Sequence, residues 1–416
     1  HRKGMRSILK KKIIKYKVGI AGLVFTGLLT ACGVTEQEAM APGSDASVEI
    51  SPEETGEEET GQGIEMSSWR ESVQQMFEDP YGDYLETGGE IAFLTDGSVE
   101  DDGYNEAVYN GVRMYALGAG VSFSYYHADP NALESYQEAA VKAVTEKAKI
   151  VICAGDLFGE VVGALQETYP QTSFLLIDSV PRNVEGEELS IADNVHCIRF
   201  HEEQAGYLAG YMAVWEGYRN LGFVGGGEEP AVLRYGYGYL QGIDAAAKDL
   251  SLEDVTVRYW YADTFSPDIA VRERADEWYE SGVQIIFACG GGLYESVLEA
   301  AENQDGLMIG VDVDQSRISD RVLTSAVKNI GTAVTDALDS FYANGGWNDG
   351  RAGQVKHYGV EEGCAAIPVV DTEWRFKEIP TTHFFEIYKQ MKRGDRQVSD
   401  EIGKLPQITR ITVNFE

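Results

Sequence analysis

Basic residues are scarce in this chain. Lys and Arg number 34 against 68 Asp and Glu, and the formal net charge is −34 at pH 7. A nucleic-acid-binding surface needs clustered positive charge to neutralise phosphates, and the body of the chain holds no basic patch. The composition therefore argues against nucleic acid as a partner and is typical of a solvated, extracytoplasmic protein.

Cysteine and catalytic motifs are also scarce. The five cysteines include no C-x-x-C pair and are too few for a disulfide framework. Cys153, Cys197 and Cys289 lie in apolar runs, so we expect them in the core. The sequence has no Gly-x-Ser-x-Gly, no His-Glu-x-x-His and no carboxylate cluster suited to a metal. We therefore expect no enzyme activity, no metal and no cofactor.

Only one long hydrophobic run occurs, from Val18 to Leu29, and it is short for a membrane span. Lysines and an arginine precede it, and the small residues Thr30 and Ala31 lead to Cys32. This order resembles the lipobox of bacterial lipoproteins, so residues 1–32 are predicted to be a lipoprotein signal peptide. Cys32 would carry the lipid and anchor the chain at the membrane. A non-lipidated signal or an uncleaved anchor is the alternative.

Two segments separate this signal from the folded body. Residues 33–67 contain no Lys or Arg and are rich in Glu, Ser, Thr and Gly, which predicts a disordered acidic linker. Residues 68–85 place Trp69, Val73 and Phe77 at helical spacing and predict a short amphipathic helix.

From Gly89 onward, apolar strand-like runs alternate with amphipathic helical patterns. Such alternation predicts an α/β fold with parallel sheets covered on both faces. A second series begins after residue 200, which indicates two lobes. The predicted lobes span residues 88–200, completed by a crossover at about 327–350, and residues 201–326, completed by about 351–416.

Asp312 and Lys328 are the first candidates for ligand binding. Each ends an apolar run of strand-like residues, and ligands of open α/β sheets bind at the carboxyl ends of strands. An Asp and a Lys at one sheet edge can hydrogen-bond vicinal hydroxyls, which is sugar chemistry. A helix-capping Asp and a surface Lys remain the alternative. We expect their substitution to weaken binding and to leave the stability of the ligand-free protein nearly unchanged.

A polar loop at residues 96–105 supplies further candidates. Its first residue, Asp96, ends a predicted strand, and Tyr104 offers an aromatic face. Tyr235 lies in the second series, so the two tyrosines could sandwich a flat ring, although each is individually more typical of ordinary packing. The loop lacks the Gly and Glu that a calcium-binding loop requires.

Glycine triplets at residues 225–227 and 290–292 each follow a strand and precede a helix. Exposed backbone N–H groups there could bind an anion. No Gly-Lys-Ser/Thr follows either triplet, so neither is a phosphate loop. Tight turns or close approach to an uncharged ligand explain the glycines more simply.

Several of these stretches together resemble the basic membrane protein family of ABC-transporter substrate-binding lipoproteins. They are the Cys32 lipobox, TDGSVEDDGYNEAVYNGV, FHEEQAGYLAGYMA, GFVGG followed by RYGYGYLQGIDAA, and GVDVDQ followed by TSAVKN. The resemblance implies a two-lobed periplasmic-binding-protein type I fold, two Rossmann-like lobes joined by a hinge. It also implies capture of a nucleoside, with purines favoured, for an ABC permease and ATPase.

The resemblance also implies roles for individual residues. Asp96 would hydrogen-bond the base, Tyr104 and Tyr235 would stack on it, and Asp312 and Lys328 would hold the ribose. Gly291 would make backbone contact, and Asn105 belongs to the triplet 103–105 that replaces the family's Ser-Phe-Asn. The same fold could instead bind a sugar or another metabolite, and a nucleoside-processing enzyme is the more distant alternative.

Overall fold

A computed structural model describes residues 84–130, 132–369 and 372–416. The predicted signal peptide with Cys32, the acidic linker at 33–67 and most of the predicted helix at 68–85 lie outside these residues. The end of that helix is described, and it is not helical, because Leu85 pairs with Ser124 in an isolated bridge.

The described chain alternates strands and helices through most of its length. The strands are β1 (Ile91–Thr95), β2 (Phe123–His127), β3 (Ile150–Ala154), β4 (Ser173–Ile177), β5 (Val195–Phe200), β6 (Asn220–Gly225), β7 (Val255–Tyr261), β8 (Ile285–Cys289), β9 (Leu307–Asp312), β10 (Val322–Lys328), β11 (Gln354–Tyr358), β12 (Ala365–Ala366) and β13 (Ile411–Phe415). The helices are α1 (Tyr104–Ala119), α2 (Leu133–Thr145), α3 (Phe158–Leu165), α4 (Glu202–Glu216), α5 (Pro230–Asp249), α6 (Ile269–Glu280), α7 (Tyr294–Asn303), α8 (Ile330–Asn344) and α9 (Thr381–Lys392).

These strands form two sheets, each the centre of one lobe. The N-lobe sheet has the order β11-β5-β4-β3-β1-β2, and the C-lobe sheet has the order β12-β10-β9-β8-β6-β7-β13. All pairings are parallel except that of β12 with β10. Central strands such as β1, β3 and β8 are buried along their whole length, as continuous apolar runs require when helices cover both faces.

The chain passes between the lobes three times, at residues 200–202, 328–330 and 358–365. The crossing segments hydrogen-bond each other: the N–H of His201 donates to the Tyr358 carbonyl over 2.9 Å, and the N–H of Asn329 donates to the Cys364 carbonyl over 2.8 Å. Three adjacent, hydrogen-bonded connections therefore join the two lobes.

The predicted lobe boundary near residue 350 is too early. β11 pairs in parallel with β5 and completes the N-lobe sheet, and α8 packs on α1 in the core of the same lobe. Only the chain after the third crossing returns to the C-lobe, where α9 packs in its core and β13 pairs with β7. The sequence of an edge strand does not indicate which of the two sheets the strand joins.

Helices α4 and α5 of the C-lobe pack unusually closely because glycines line their contact. A Cβ atom at Gly206 would lie 2.2 Å from the carbonyl oxygen of Tyr235, and one at Gly238 would lie 2.1 Å from that of Glu203. Backbone therefore touches backbone, which only glycine permits.

No helix in the described part of the chain is both long and apolar enough to span a bilayer.

Gly238→Ala should destabilise the protein. The added methyl group meets backbone that cannot move without separating the two helices, and such overpacking costs about 1–3 kcal/mol. We expect a lower midpoint of urea unfolding, measured by circular dichroism. The matched control is Gly118→Ala on α1, where a Cβ meets no atom within 4 Å and alanine favours the helix by about 0.5–1 kcal/mol. Equal midpoints for the two variants would refute the packing argument.

Candidate functional site

The carboxyl ends of both sheets open onto one cleft of about 550 Å³ between the lobes. This volume lies within the usual range for sites that bind small molecules. The seven residues singled out from sequence all line it: Asp96, Tyr104, Asn105, Tyr235, Gly291, Asp312 and Lys328. Strand-end positions in both series therefore meet in space, as the topology of parallel sheets requires.

Lys328 lies at the base of the cleft and is only 3% exposed. Its Nζ atom lies 2.6 Å from Oδ2 of Asp178, 3.4 Å from Oε1 of Glu202 and 3.5 Å from Oδ1 of Asp312. Asp178 belongs to the N-lobe, whereas Lys328 and Asp312 belong to the C-lobe. One ammonium group therefore joins the two lobes directly beneath the ligand space. The alternative of a surface Lys328 is wrong.

The two aspartates that flank Lys328 are equivalent in the two lobes. Asp178 follows β4 and Asp312 ends β9, and both have left-handed backbones, with φ of 63° and 65°. This conformation is uncommon for a residue other than glycine, and Asp tolerates it better than most. The turn directs each carboxylate from the end of its strand toward the centre of the cleft.

Burial controls the electrostatics of this cluster. Burial raises the pKa of Asp178 and of Asp312, and the Lys328 ammonium opposes that rise. Burial by itself would lower the pKa of Lys328, but the three carboxylates outweigh it and the pKa is raised. The lysine thus stays charged, and three carboxyl groups share its single positive charge.

The two predicted aromatic residues occupy different positions. Tyr104 is half-buried on the N-lobe wall, whereas Tyr235 is 2% exposed and donates its hydroxyl to Oδ1 of Asp312 over 3.0 Å. The Lys328 ammonium lies 4.8 Å from the ring centroid of Tyr104 and 5.8 Å from that of Tyr235. Tyr235 therefore positions Asp312 and presents little ring surface to the cleft.

Phe265 is an aromatic residue of the cleft that sequence reasoning missed. It lies in the loop between β7 and α6, is 37% exposed and lines the C-lobe wall. Its carbonyl accepts the N–H of Gly292 over 2.7 Å, and a Cβ at Gly226 would lie 2.5 Å from its ring. The glycine triplets thus make room for Phe265, in agreement with the tight-turn explanation.

The polar loop after β1 is held in place by its own side chains. The amide of Asn105 accepts a hydrogen bond from Thr95 Oγ1 and donates to Oδ2 of Asp101 over 2.9 Å. A Cβ at Gly97 would collide with that amide at 2.0 Å, which explains why this position is glycine. Asp96 accepts the hydroxyl of Tyr136 over 2.6 Å and faces the cleft.

Carboxylates dominate the charge of the cleft. Among the described residues that line it, Lys328 is the one cation, and eight residues carry a carboxyl group: Asp96, Glu100, Asp101, Asp156, Asp178, Glu229, Glu295 and Asp312. Asp156 is compensated by a two-pronged ion pair with Arg182, at 3.0 and 2.8 Å. The described residues contain no group of three or more His, Cys, Asp or Glu arranged to hold a metal ion.

Asp178 and Glu202 are two further residues of the site that the sequence analysis did not assign to it. A signal for Asp178 was available, since it follows a buried strand of the first series as Asp312 does in the second. Glu202 carried no such signal. It is the first residue of α4, and its burial depends on the packing of the two lobes. Its carboxylate is fully buried and also pairs with Arg234 over 2.6 Å.

The fold and the cleft together define a two-lobed binding protein. Basic membrane protein B of Borreliella burgdorferi is 26% identical over 284 residues, covering 67% of this chain and 80% of the relative. The ABC transporter nucleoside-binding protein BmpA of Lactococcus lactis is 25% identical over 279 residues, covering 61% and 75%. An ABC transporter solute-binding protein of Aeropyrum pernix superposes with a TM-score of 0.63 at 17% identity, covering 75% and 93%.

Residues 89–403 match the Bmp family, described as PnrA-like ABC transporter substrate-binding proteins, and the chain belongs to that family. The expected two-lobed, periplasmic-binding-protein type I fold is confirmed. The protein is thus a substrate-binding component rather than an enzyme, and it takes a small molecule to the permease and ATPase of a transporter. This role makes it an extracytoplasmic, membrane-associated protein.

The burial of Lys328 changes the expectation that its substitution leaves stability unchanged. Lys328→Met removes the charge and leaves three carboxylates facing one another, and breaking such a buried cluster costs about 3–5 kcal/mol. We expect a lower midpoint of urea unfolding at pH 7.5. Without the ammonium, the pKa values of Asp178 and Asp312, already raised by burial, rise further. The folded protein then binds more protons than the unfolded chain, so the deficit shrinks at pH 5.5.

Lys356→Met is the control for this prediction. Lys356 pairs with Asp336 at 2.8 Å, but both side chains are more than a third exposed, at 36% and 40%. Such a pair contributes about 0–1 kcal/mol. A Lys328→Met protein no less stable than the Lys356→Met protein would show that the cluster does not hold the lobes.

Proposed function

We propose that the protein captures a nucleoside, with purine nucleosides favoured, for an ABC importer. The observation that carries this proposal is the pairing, in one cleft, of two aromatic faces with an Asp–Lys pair. Aromatic rings bind the flat face of a base, and carboxylate and ammonium groups bind vicinal hydroxyls. A ligand that uses both has an aromatic part joined to a sugar.

The base would lie between Tyr104 on the N-lobe and Phe265 on the C-lobe. Phe265 suits this position better than Tyr235, the residue favoured from sequence, because more than a third of its surface is free to meet a ligand. Stacking of a base on an aromatic ring is worth about 1–3 kcal/mol. Asp96, at the end of β1, would hydrogen-bond the base, with Asn105 holding the loop around it.

The ribose hydroxyls would meet Asp312 and Lys328 at the base of the cleft, with Gly291 in backbone contact nearby. Asp178 adds an acceptor, since its Oδ1 atom is buried and has no hydrogen-bond partner among the described residues. A buried acceptor without a donor costs free energy, which an N–H or O–H group of the ligand would relieve. The name of the BmpA relative of Lactococcus lactis, a nucleoside-binding protein, supports the same ligand class.

Binding would close the lobes about the three crossings. Each wall contributes one aromatic ring, so both rings contact the base only when the lobes approach. The closed form would then dock on the permease. Closure also explains why the ligand contacts come from both lobes rather than from one.

Isothermal titration calorimetry of the purified protein tests this proposal. We expect adenosine, guanosine or inosine to bind with a sub-micromolar Kd, about −8 kcal/mol or better, and free base or ribose to bind at least tenfold more weakly, because each loses half of the contacts. Binding of a free sugar or another metabolite, with no response to any nucleoside, would reject the ligand assignment and keep the fold.

Phe265→Ala should weaken nucleoside binding by tenfold or more, because the ring has no replacement on the C-lobe wall. The matched control is Phe385→Ala on α9, where an equally exposed Phe, at 42%, lies outside the cleft. An unchanged Kd for Phe265→Ala would remove this residue from the site and return Tyr235 as the C-lobe aromatic.

We also propose that a lipid on Cys32 anchors the protein, with residues 33–67 as a tether. The support is sequence alone: a basic segment, an apolar run and Leu-Thr-Ala-Cys in that order. Anchoring at the outer face of the membrane would keep the binding protein near its permease.

Cys32→Ala should move the protein from the membrane fraction to the soluble fraction and abolish incorporation of labelled fatty acid in cells of the source organism. Ligand affinity should not change, because the described residues that line the cleft all follow residue 95. Cys364→Ala, which alters a buried cysteine of the folded body, is the control. A Cys32→Ala protein that stays on the membrane would exclude lipid anchoring at this residue.

A further inference from the structure

The charged residues that line the cleft are predominantly acidic. Lys328 is the single cation among its described lining residues, and three carboxylates already surround its ammonium. Arg182, the arginine whose charge reaches Glu229, is already held by its two-pronged ion pair with Asp156. An incoming anion therefore meets several carboxylates and no available positive group.

Glu229 brings this charge to the C-lobe wall. It is the N-cap residue of α5 and lines the cleft opposite Asp96 and Asp156 of the N-lobe. Glu229 is exposed on the open cleft wall; partial desolvation there, with the charges of Asp156 and Asp96, raises its pKa to about 7. The carboxyl groups of the two lobes thus act on one another across the space that a ligand would enter.

A second observation, on the opposite wall, points the same way. Oδ1 of Asp178 is buried without a hydrogen-bond partner, and the side chain is 9% exposed at the cleft base. The carboxylate is already paired with Lys328 through Oδ2, and because a carboxylate oxygen can only accept, Oδ1 suits a donor rather than an acceptor of the ligand. The oxygens of a phosphate dianion are acceptors and would add repulsion instead.

We infer that the cleft selects against negatively charged ligands, so that it binds nucleosides and rejects their 5′-phosphates, with Glu229 as a specificity-determining residue. The inference rests on the proposed nucleoside function and adds that the cleft selects its ligands by charge. Charge repulsion in a partly desolvated cleft is several times stronger than in water. We expect the 5′-monophosphate to bind at least about a hundredfold more weakly than the nucleoside.

Calorimetry of the intact protein at pH 8, where Glu229 is ionised, tests the inference with three ligands for each base. These are adenosine and guanosine, their 5′-monophosphates and their 5′-sulfamates, which match the phosphate in size and carry no charge. We expect the sulfamates to bind within about tenfold of the nucleosides. Raising the salt concentration should narrow the gap between nucleoside and monophosphate, because ions screen the repulsion.

Glu229→Gln should lower the ratio of the monophosphate Kd to the nucleoside Kd by roughly tenfold, since it removes one of several carboxylates. Glu228→Gln is the matched control: it removes the same charge from the neighbouring residue, which is also exposed but does not line the cleft. That variant should keep the wild-type ratio.

The outcomes separate the inference from the function on which it rests. Equal binding of nucleoside and monophosphate overturns the inference alone, and so does rejection of the sulfamate as strong as that of the monophosphate, which would make size the cause. Equal ratios in the Glu229→Gln and Glu228→Gln proteins remove Glu229 from the selection. Failure of every nucleoside to bind overturns the proposed function and the inference together.

Discussion

The structure depends on the burial of one lysine among carboxylates from both lobes. Lys328 can remain charged at 3% exposure only because Asp178, Asp312 and Glu202 surround it, and its ammonium offsets part of the cost of burying their carboxyl groups. The cluster lies beside the chain crossings, so it fixes the base of the cleft.

The two lobes contribute equivalent residues to the cleft. In each lobe, an aspartate with a left-handed backbone lies at the end of a buried parallel strand, and its carboxylate faces the shared lysine. Each lobe also supplies one aromatic residue, Tyr104 or Phe265, to its own wall of the cleft. Under the proposed function, this symmetry lets a ligand with a flat ring and hydroxyl groups contact both lobes, although their sheets differ in strand number.

Packing requirements far from the ligand determine which aromatic residue is available to it. Tyr235 belongs to α5, whose close glycine contacts with α4 hold its ring against the core. Phe265 lies in a loop, and glycines on two neighbouring turns leave space for its ring. The position of an aromatic residue in the cleft thus follows from backbone contacts rather than from aromatic character.

Sequence alone determined the α/β class, the two series of strands and helices, and the strand-end residues Asp96, Asp312 and Lys328 at the cleft. These features follow from local patterns, since apolar runs form buried strands and parallel strands bring their carboxyl ends to one edge. Only the tertiary structure decided that β11 joins the N-lobe, that Phe265 rather than Tyr235 exposes its ring, and that Asp178 and Glu202 surround Lys328. Each of these depends on contacts between segments distant in the chain, and burial and charge pairing at such contacts leave no local pattern in the sequence.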